Sequence, residues 1–334
     1  MIKVAINGLG RIGRATLKIL LQNPEFKIVA INDLTSLNDL VYLLSYDTVY
    51  GRSEQKIRAG DGVLQIDELS IAVFSEQDPS NLPWGKLGVE TVFECTGVFL
   101  TSDDLHKHIA AGAQRVILSA PAKDDLTQTV VHGSSSSDRE QIYSCASCTT
   151  NCITPVCEIM ERRIGVSKAI MTTVHAYTTS QNIVDGPHKS LRRGRAGAAN
   201  LVPTNTGAAQ ATTRVLPEYA GRFDGTAIRA PIPCGSIADI TFVTEREVSV
   251  DEINQIFIEE AGADRYAGIL GVTRDPLVSA DILQDPRAAV VDLEMTKVVA
   301  GDLVKVMAWY DNEWAYAAQM VRDASQSARQ EKPA

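Results

Sequence analysis

The sequence predicts an α/β protein in two parts, an N-terminal doubly wound parallel sheet followed by an α+β part on a mostly antiparallel or mixed sheet. Three observations carry this. Residues 2–7 are β-rich and run straight into Gly8-Leu9-Gly10-Arg11-Ile12-Gly13, after which Arg11 to Leu21 has helical spacing. β-rich and helical stretches then alternate as far as Pro121. Beyond residue 160 the chain is dominated by β-rich runs. At 334 residues it is long enough for two cores.

Composition narrows the class of function. Apolar residues make up 45% and charged residues 22%, as in a globular protein rather than a disordered one. The net charge of −9 argues against nucleic acid or an anionic membrane as the main ligand. A local cluster, Arg192-Arg193-Gly194-Arg195, suits a small anion. Met1 leads directly into a strand, with no leader pattern and no run of about 20 apolar residues, so a cytoplasmic location is expected. The six cysteines, at 95, 145, 148, 152, 157 and 234, are concentrated in one region, which fits reactive or buried thiols in a reducing compartment.

The first element carries a specific signal. GxGxxG between a strand and a helix is completed by Asp33, 20 residues past Gly13 at the end of the second strand, 27–33. Gly8 permits the tight turn, Gly10 the approach of a pyrophosphate, and Gly13 close helix–strand packing, with the helix N-terminus facing the phosphates. Asp33 would accept from ribose hydroxyls and repel a 2′-phosphate. A Rossmann domain binding NAD is therefore expected. Val63 to Phe74 suggests antiparallel strands, and Pro79, Pro83 and Gly85 suggest a loop. Strands follow at 89–97 and 115–121, with a helix at 106–111 between them. Thr96, Gly97 and Ser119 fall at strand ends, either as cofactor contacts or as ordinary turn residues.

The centre of the chain carries the chemistry. In Ser144-Cys145-Ala146-Ser147-Cys148-Thr149-Thr150-Asn151 a cysteine lies among hydroxyls and amides suited to an anion, just before an apolar helical pattern at 153–159. At a loop-to-helix junction the dipole lowers a thiol pKa, which makes Cys148 the candidate nucleophile. His175 ends the strand 169–174 and opens a polar loop; the other four histidines lie among charges or turns and have no expected catalytic role. Residues 182–207 read as an ordered excursion, and 205–209 as a helix start. Arg229, in the short strand 226–231, is either a salt-bridge residue or an anion ligand. Strands at 237–244, 288–295 and 303–308 and a helix at 315–327 complete the chain. Cys145-x-x-Cys148 lacks a second ligand pair, so no metal is expected.

Together these motifs resemble the phosphorylating glyceraldehyde-3-phosphate dehydrogenases. The match runs through 7–14, 94–99, 146–152, 175–178, 195–200, 206–209 and 309–313, in order and at family spacing. The resemblance implies oxidative phosphorylation of glyceraldehyde 3-phosphate to 1,3-bisphosphoglycerate with NAD and inorganic phosphate. Cys148 forms a hemithioacetal and then a thioester, and His175 activates the thiol and serves as base. Cofactor contacts would come from Gly8, Gly10, Arg11, Ile12, Gly13, Asp33, Gln77, Thr96, Gly97 and Ser119, with Asn312 on the nicotinamide carboxamide. Thr178, Arg193 and Arg229 would take the substrate phosphate, and Ser147, Thr149, Thr206 and Gly207 the attacking phosphate. It further implies an NAD-binding domain over 1–148 completed by a C-terminal helix at 313–334, a catalytic domain over 149–312, and a homotetramer.

Leu34 and Pro187 match the NAD-preferring members. Cys145, Ser180, Cys234 and Gln77 depart from the family's common pattern. Cys145 is either a redox partner of Cys148 or a packing residue. Two other functions compete with this reading: an erythrose-4-phosphate dehydrogenase, disfavoured by His175-Ala176-Tyr177-Thr178, and an NAD-binding sensor or RNA- or partner-binding relative, disfavoured by joint retention of Cys148, His175, Arg229 and Asn312.

Overall fold

The computed structural model describes residues 1–134 and 140–330. The chain divides into two compact units. Among the described residues, unit 1 holds Met1–Val130, 140–146 and 320–330, and unit 2 holds 131–134 and Ser147–Gln319.

Unit 1 begins with β1 (Ile2–Asn7), α1 (Arg11–Leu21), β2 (Phe26–Asn32), α2 (Leu37–Ser45), and the short pair β3 (Tyr46–Asp47) and β4 (Gly51–Arg52). Next come β5 (Ile57–Ala59), β6 (Val63–Ile66), β7 (Leu69–Phe74), α3 (Trp84–Leu87), β8 (Thr91–Glu94), α4 (Ser102–Ala110), β9 (Arg115–Leu118), β10 (Gln128–Thr129) and β11 (Ile142–Ser144). Nine strands form one sheet in the order β10-β11-β9-β8-β1-β2-β7-β6-β5. Every pairing from β10 to β7 is parallel, and β7-β6-β5 is antiparallel. β1 lies between β2 and β8, so the chain order reverses there; the crevice beyond its carboxyl end is where such sheets bind ligands. Val4, Ala5, Ile6, Val92 and Phe93 are fully buried, as expected of strands covered on both faces.

Two features of the 40–88 region escaped the sequence reading. α2 is capped by Ser36, whose Oγ accepts from the Asp39 N–H at 3.2 Å, and Trp84–Leu87 forms a short helix inside the expected loop. The helix read at 106–111 begins four residues earlier, because the Thr101 hydroxyl caps Asp104 N–H at 3.3 Å.

Unit 2 contains α5 (Cys148–Ile164), β12 (Val166–Ala176), β13 (Val202–Asn205), α6 (Ala208–Val215), β14 (Phe223–Ala230), β15 (Ser236–Thr244), α7 (Val250–Ala261), β16 (Leu270–Thr273), β17 (Ala289–Asp292), β18 (Lys297–Val299) and β19 (Leu303–Tyr310). Its sheet runs β13-β14-β12-β15-β19-β17-β16, with β18 on β19, and is mixed: β14–β12 and β16–β17 are parallel, the rest antiparallel. β15 alternates strictly, Ala238, Ile240 and Phe242 packing with Ile153, Val156 and Met160 of α5 and Phe257 of α7 in one core. α7 was not anticipated, although Ser249 caps it by accepting from the Glu252 N–H at 3.2 Å. α5 extends to both sides of the apolar run that signalled it and tolerates Pro155 within it.

The last helix, α8 (Trp314–Gln330), contributes residues to both units. In unit 2 the Gln319 amide donates to the carbonyls of Pro286 at 2.7 Å and Gly268 at 3.0 Å, and in unit 1 Ser327 bonds the Tyr143 hydroxyl at 3.1 Å. Residues 331–334, the end of the expected C-terminal helix, lie outside the described residues. No helix among the described residues is long and apolar enough to cross a membrane.

Candidate active site

Two constellations emerge, one in each unit. In unit 2, Cys148 is the first residue of α5. Ser147 caps that helix, its Oγ accepting from the Thr150 N–H at 3.1 Å and touching the Thr150 hydroxyl at 2.8 Å. Ala146, just before the cap, has φ of 55°, a left-handed conformation that a non-glycine residue holds only under constraint. Three elements then fix the sulfur. The buried Tyr310 hydroxyl lies 2.9 Å from the Thr149 hydroxyl and 2.8 Å from that of Thr173, joining α5, β12 and β19. Its ring meets the His175 ring edge-on, centroids 6.0 Å apart. Cys148 Sγ consequently lies 3.4 Å from His175 Nε2.

β12 is longer than expected and contains His175 rather than ending before it. Its parallel register with β14 sets His175 opposite Arg229. Arg229 Nη1 is 2.8 Å from His175 Nδ1 and 3.0 Å from the Ala176 carbonyl, and Nδ1 is itself 2.7 Å from that carbonyl. Nδ1 either accepts from the guanidinium, leaving a proton on Nε2, or donates to Ala176, leaving Nε2 a base facing the sulfur. Arg229 has no carboxylate partner among the described residues, and its Nε is buried without one. Of the two roles left open by the sequence, the salt bridge is not formed.

Burial pushes the Cys148 thiol above its ordinary pKa, against the charge of Arg229 and the hydrogen bonds of Thr149. Burial, followed by the charge of Arg229, depresses His175 to about 3. Burial thus favours the neutral form of both groups and, at the sulfur, works against the lowering expected from the helix dipole. An anion on Arg229 offsets the charge that opposes imidazolium.

Arg193 donates to the Thr204 hydroxyl at 2.9 Å and, at 3.4 Å, to the hydroxyl of Ser180, which lies 2.9 Å from that of Thr178. Its charge has no carboxylate partner among the described residues. Serine at 180 leaves that charge uncompensated, where an aspartate would neutralise it. Thr206 and Gly207 sit at the N-terminus of α6, the Thr206 hydroxyl accepting from Ala208 N–H at 3.2 Å; among the described residues no hydrogen bond joins them to Cys148. The Asn312 carbonyl oxygen accepts from Gly235 N–H at 3.1 Å and the Ser236 hydroxyl at 2.9 Å.

In unit 1 a cleft of about 490 Å³ opens beyond β1, lined among others by Gly8, Leu9, Gly10, Asp33, Leu34, Gln77 and Thr96. Gly8 has φ of +91°, and a Cβ there would lie 2.7 Å from Thr96 N; a Cβ on Gly13 would lie 1.9 Å from the Gly8 carbonyl oxygen. The Asp33 carboxylate accepts from Leu9 N–H at 2.6 Å and Thr35 N–H at 2.8 Å, bracing the glycine turn while retaining lone pairs for a ligand. Arg11, Ile12, Gly13, Gly97 and Ser119 do not line the cleft. The Arg11 side chain is engaged by Asp47 at 2.7 Å and lies over the Tyr50 ring, while Ser119 bonds Cys95. Asn7, Arg14, Leu43, Glu76, Val98 and Phe99 also line it, beyond the expected cofactor contacts.

Beneath the turn lies a buried polar network. Glu94 accepts from Asn7 Nδ2 at 2.5 Å, Thr96 N–H at 2.8 Å and His108 Nε2 at 3.0 Å, and Trp84 Nε1 donates to His108 Nδ1 at 3.0 Å. The indole N–H can only donate, so His108 Nδ1 accepts from it and Nε2 carries the proton that faces Glu94.

Residues 2–102 match the family model described as glyceraldehyde 3-phosphate dehydrogenase, NAD binding domain, and residues 147–312 match that of its C-terminal domain. The chain belongs to the glyceraldehyde-3-phosphate dehydrogenase family. It is 45% identical over 325 residues to the enzyme of that name from Streptomyces coelicolor, covering 96% of each chain. It is 43% identical over 333 residues to that of Zymomonas mobilis, covering 98% of this chain and 99% of the relative. To that of Haloarcula vallismortis it is 44% identical over 325 residues, with 96% of each covered. The cleft fits the family's cofactor, NAD: open space surrounds Gly10 where a diphosphate must approach, and Asp33 presents a carboxylate beside it. Cys145 is a buried thiol, and no disulfide joins it to Cys148. Among the described residues no group of three or more His, Cys, Asp or Glu side chains is placed to hold a metal ion.

Proposed function

We propose that the protein is an NAD-dependent phosphorylating aldehyde dehydrogenase that converts glyceraldehyde 3-phosphate and inorganic phosphate to 1,3-bisphosphoglycerate, reversibly, in glycolysis or gluconeogenesis. The observation that carries this is the approach of Cys148 Sγ to His175 Nε2 at 3.4 Å at the N-terminus of α5, in a chain of this family.

Arg229, with Arg193 and Thr178, captures the substrate phosphate. Anion binding draws the guanidinium from His175 Nδ1, which then donates to the Ala176 carbonyl and leaves Nε2 free to accept the Cys148 proton. The thiolate adds to the aldehyde carbon, backbone N–H groups at the start of α5 stabilise the developing oxyanion, and protonated His175 returns its proton to that oxygen, giving a neutral hemithioacetal and a neutral imidazole. Bound NAD supplies the acceptor for the hydride lost from that carbon. His175 takes the hydroxyl proton as the C–O bond becomes a carbonyl, leaving a thioester on Cys148. An oxygen of inorganic phosphate, seated by Ser147, Thr149, Thr206 and Gly207, attacks it; the C–S bond breaks, Cys148 leaves as thiolate, and the acyl phosphate is released.

A homotetramer is proposed from the family resemblance. It is supported by the exposed apolar side chains Ile183, Val184, Leu191 and Leu201 along the 182–207 excursion, which suit a subunit interface. The proposed location is the cytoplasm, where NAD and triose phosphates are available.

NADH formation from glyceraldehyde 3-phosphate, with and without inorganic phosphate, tests the reading. Turnover is expected only with phosphate and is lost in Cys148→Ser. A parent protein inactive with this aldehyde but active with erythrose 4-phosphate refutes the substrate assignment, and inactivity with both refutes the enzyme reading.

A further inference from the structure

The Asn312 side chain is held at one end only. Its Oδ1 accepts from the Ser236 hydroxyl at 2.9 Å and from the Gly235 N–H at 3.1 Å, with Cys234 Sγ at 3.7 Å. Its Nδ2 makes no hydrogen bond among the described residues. A backbone N–H can only donate, so the acceptor end of the amide is turned inward and the donor end is left for a ligand.

Ser236 completes the arrangement. It is 1% exposed, and its Oγ also accepts from the Ala176 N–H at 3.2 Å. With that lone pair occupied, the hydroxyl proton goes to Asn312. Ala176 follows His175, and its carbonyl lies 2.7 Å from His175 Nδ1. One hydroxyl therefore joins the amide of Asn312 to the strand that carries the base.

We propose that Ser236 is a positioning residue for cofactor recognition, fixing the Asn312 amide so that it offers an N–H to the carbonyl oxygen of the nicotinamide carboxamide. This rests on the assignment of Asn312 as a nicotinamide ligand. Without the hydroxyl only the Gly235 N–H orients the amide, and its two ends become more nearly interchangeable.

Equilibrium binding of NAD and of ADP-ribose, which lacks the nicotinamide, tests this by calorimetry on the full-length protein. Ser236→Ala is expected to raise the Kd for NAD about three- to tenfold, the loss of one hydrogen bond, and to leave that for ADP-ribose unchanged. Ser236→Thr, which keeps the hydroxyl, holds the parent's NAD affinity. In an Asn312→Ala background, Ser236→Ala has no further effect on NAD binding. Equal weakening of NAD and ADP-ribose, or no change in either, overturns the positioning role while leaving the functional reading intact. A parent protein that binds neither ligand overturns both.

Discussion

Alanine at Gly10 and at Gly13 separates the two jobs of the glycine turn. At Gly13 a Cβ would stand 1.9 Å from the Gly8 carbonyl oxygen and 2.9 Å from its carbon, both backbone atoms that no rotamer change can move. Relief requires α1 to move away from the turn by about 1 Å or more, set against interior packing that resists displacements of that size. Alanine's better helix propensity returns only about 1 kcal/mol. Forced overpacking costs typically 1–3 kcal/mol, and an immobile backbone obstacle places this case at about 3 kcal/mol. For a chain of 334 residues that corresponds to a fall in Tm of about 4 °C. At Gly10 a Cβ meets nothing within 4 Å, and the backbone, φ −65° and ψ −161°, suits alanine. Gly10→Ala therefore changes stability by under about 1 kcal/mol, mostly as a poorer N-cap. It does obstruct approach to a diphosphate, and NAD affinity falls on the order of tenfold or more. Thermal unfolding without ligand and calorimetric titration with NAD read the two effects separately. A Gly13→Ala protein as stable as the parent, or a Gly10→Ala protein that binds NAD normally, refutes the reasoning.

Three further outcomes are expected. The His175 pKa is depressed to about 3 from an ordinary 6.5, so between those values the unfolded chain takes up a proton that the folded chain refuses. The associated stability is complete above pH 6.5 and is lost as the pH falls, by about 2 kcal/mol between pH 7.5 and 5.0. Urea unfolding of His175→Asn should lack that increment, and identical pH dependence in both proteins contradicts the buried neutral imidazole. His108→Phe strands the Trp84 indole N–H and removes a donor from the fully buried Glu94, and should lower the unfolding free energy by about 3 kcal/mol; a loss below about 1 kcal/mol in urea titrations counts against the network. With the Asp33 carboxylate lining the cleft and proposed to meet the ribose, catalytic efficiency with NAD should exceed that with NADP by roughly tenfold or more, and parity between the cofactors in steady-state kinetics rules out this role for the carboxylate.

The glycine turn was legible because its requirements are local: the three glycines and Asp33 lie within 26 residues, in a strand–turn–helix whose backbone geometry dictates residue type. Cys148 was legible for a similar reason, since a cap and a helix start are set by adjacent residues. α2 and α7 were missed although Ser36 with Asp39 and Ser249 with Glu252 carry the same local capping information.

The sequence by itself determined the two-part α/β plan and the glycine turn with its acid, and it picked out Cys148 and His175 as the candidate nucleophile and base, which the structure brings to 3.4 Å. Only the tertiary structure decided that Arg229 rests on His175 rather than on a carboxylate, because strand register, which sequence spacing does not encode, sets those side chains opposite each other 54 residues apart. It also decided the direction in which the Cys148 thiol is shifted, since burial outweighs the helix dipole and the charge of Arg229. Tyr310 and Ser236 belong to the same class. Each lies in an ordinary-looking strand, and each acquires its role only where β12, β15, β19 and the start of α5 are brought within hydrogen-bond reach.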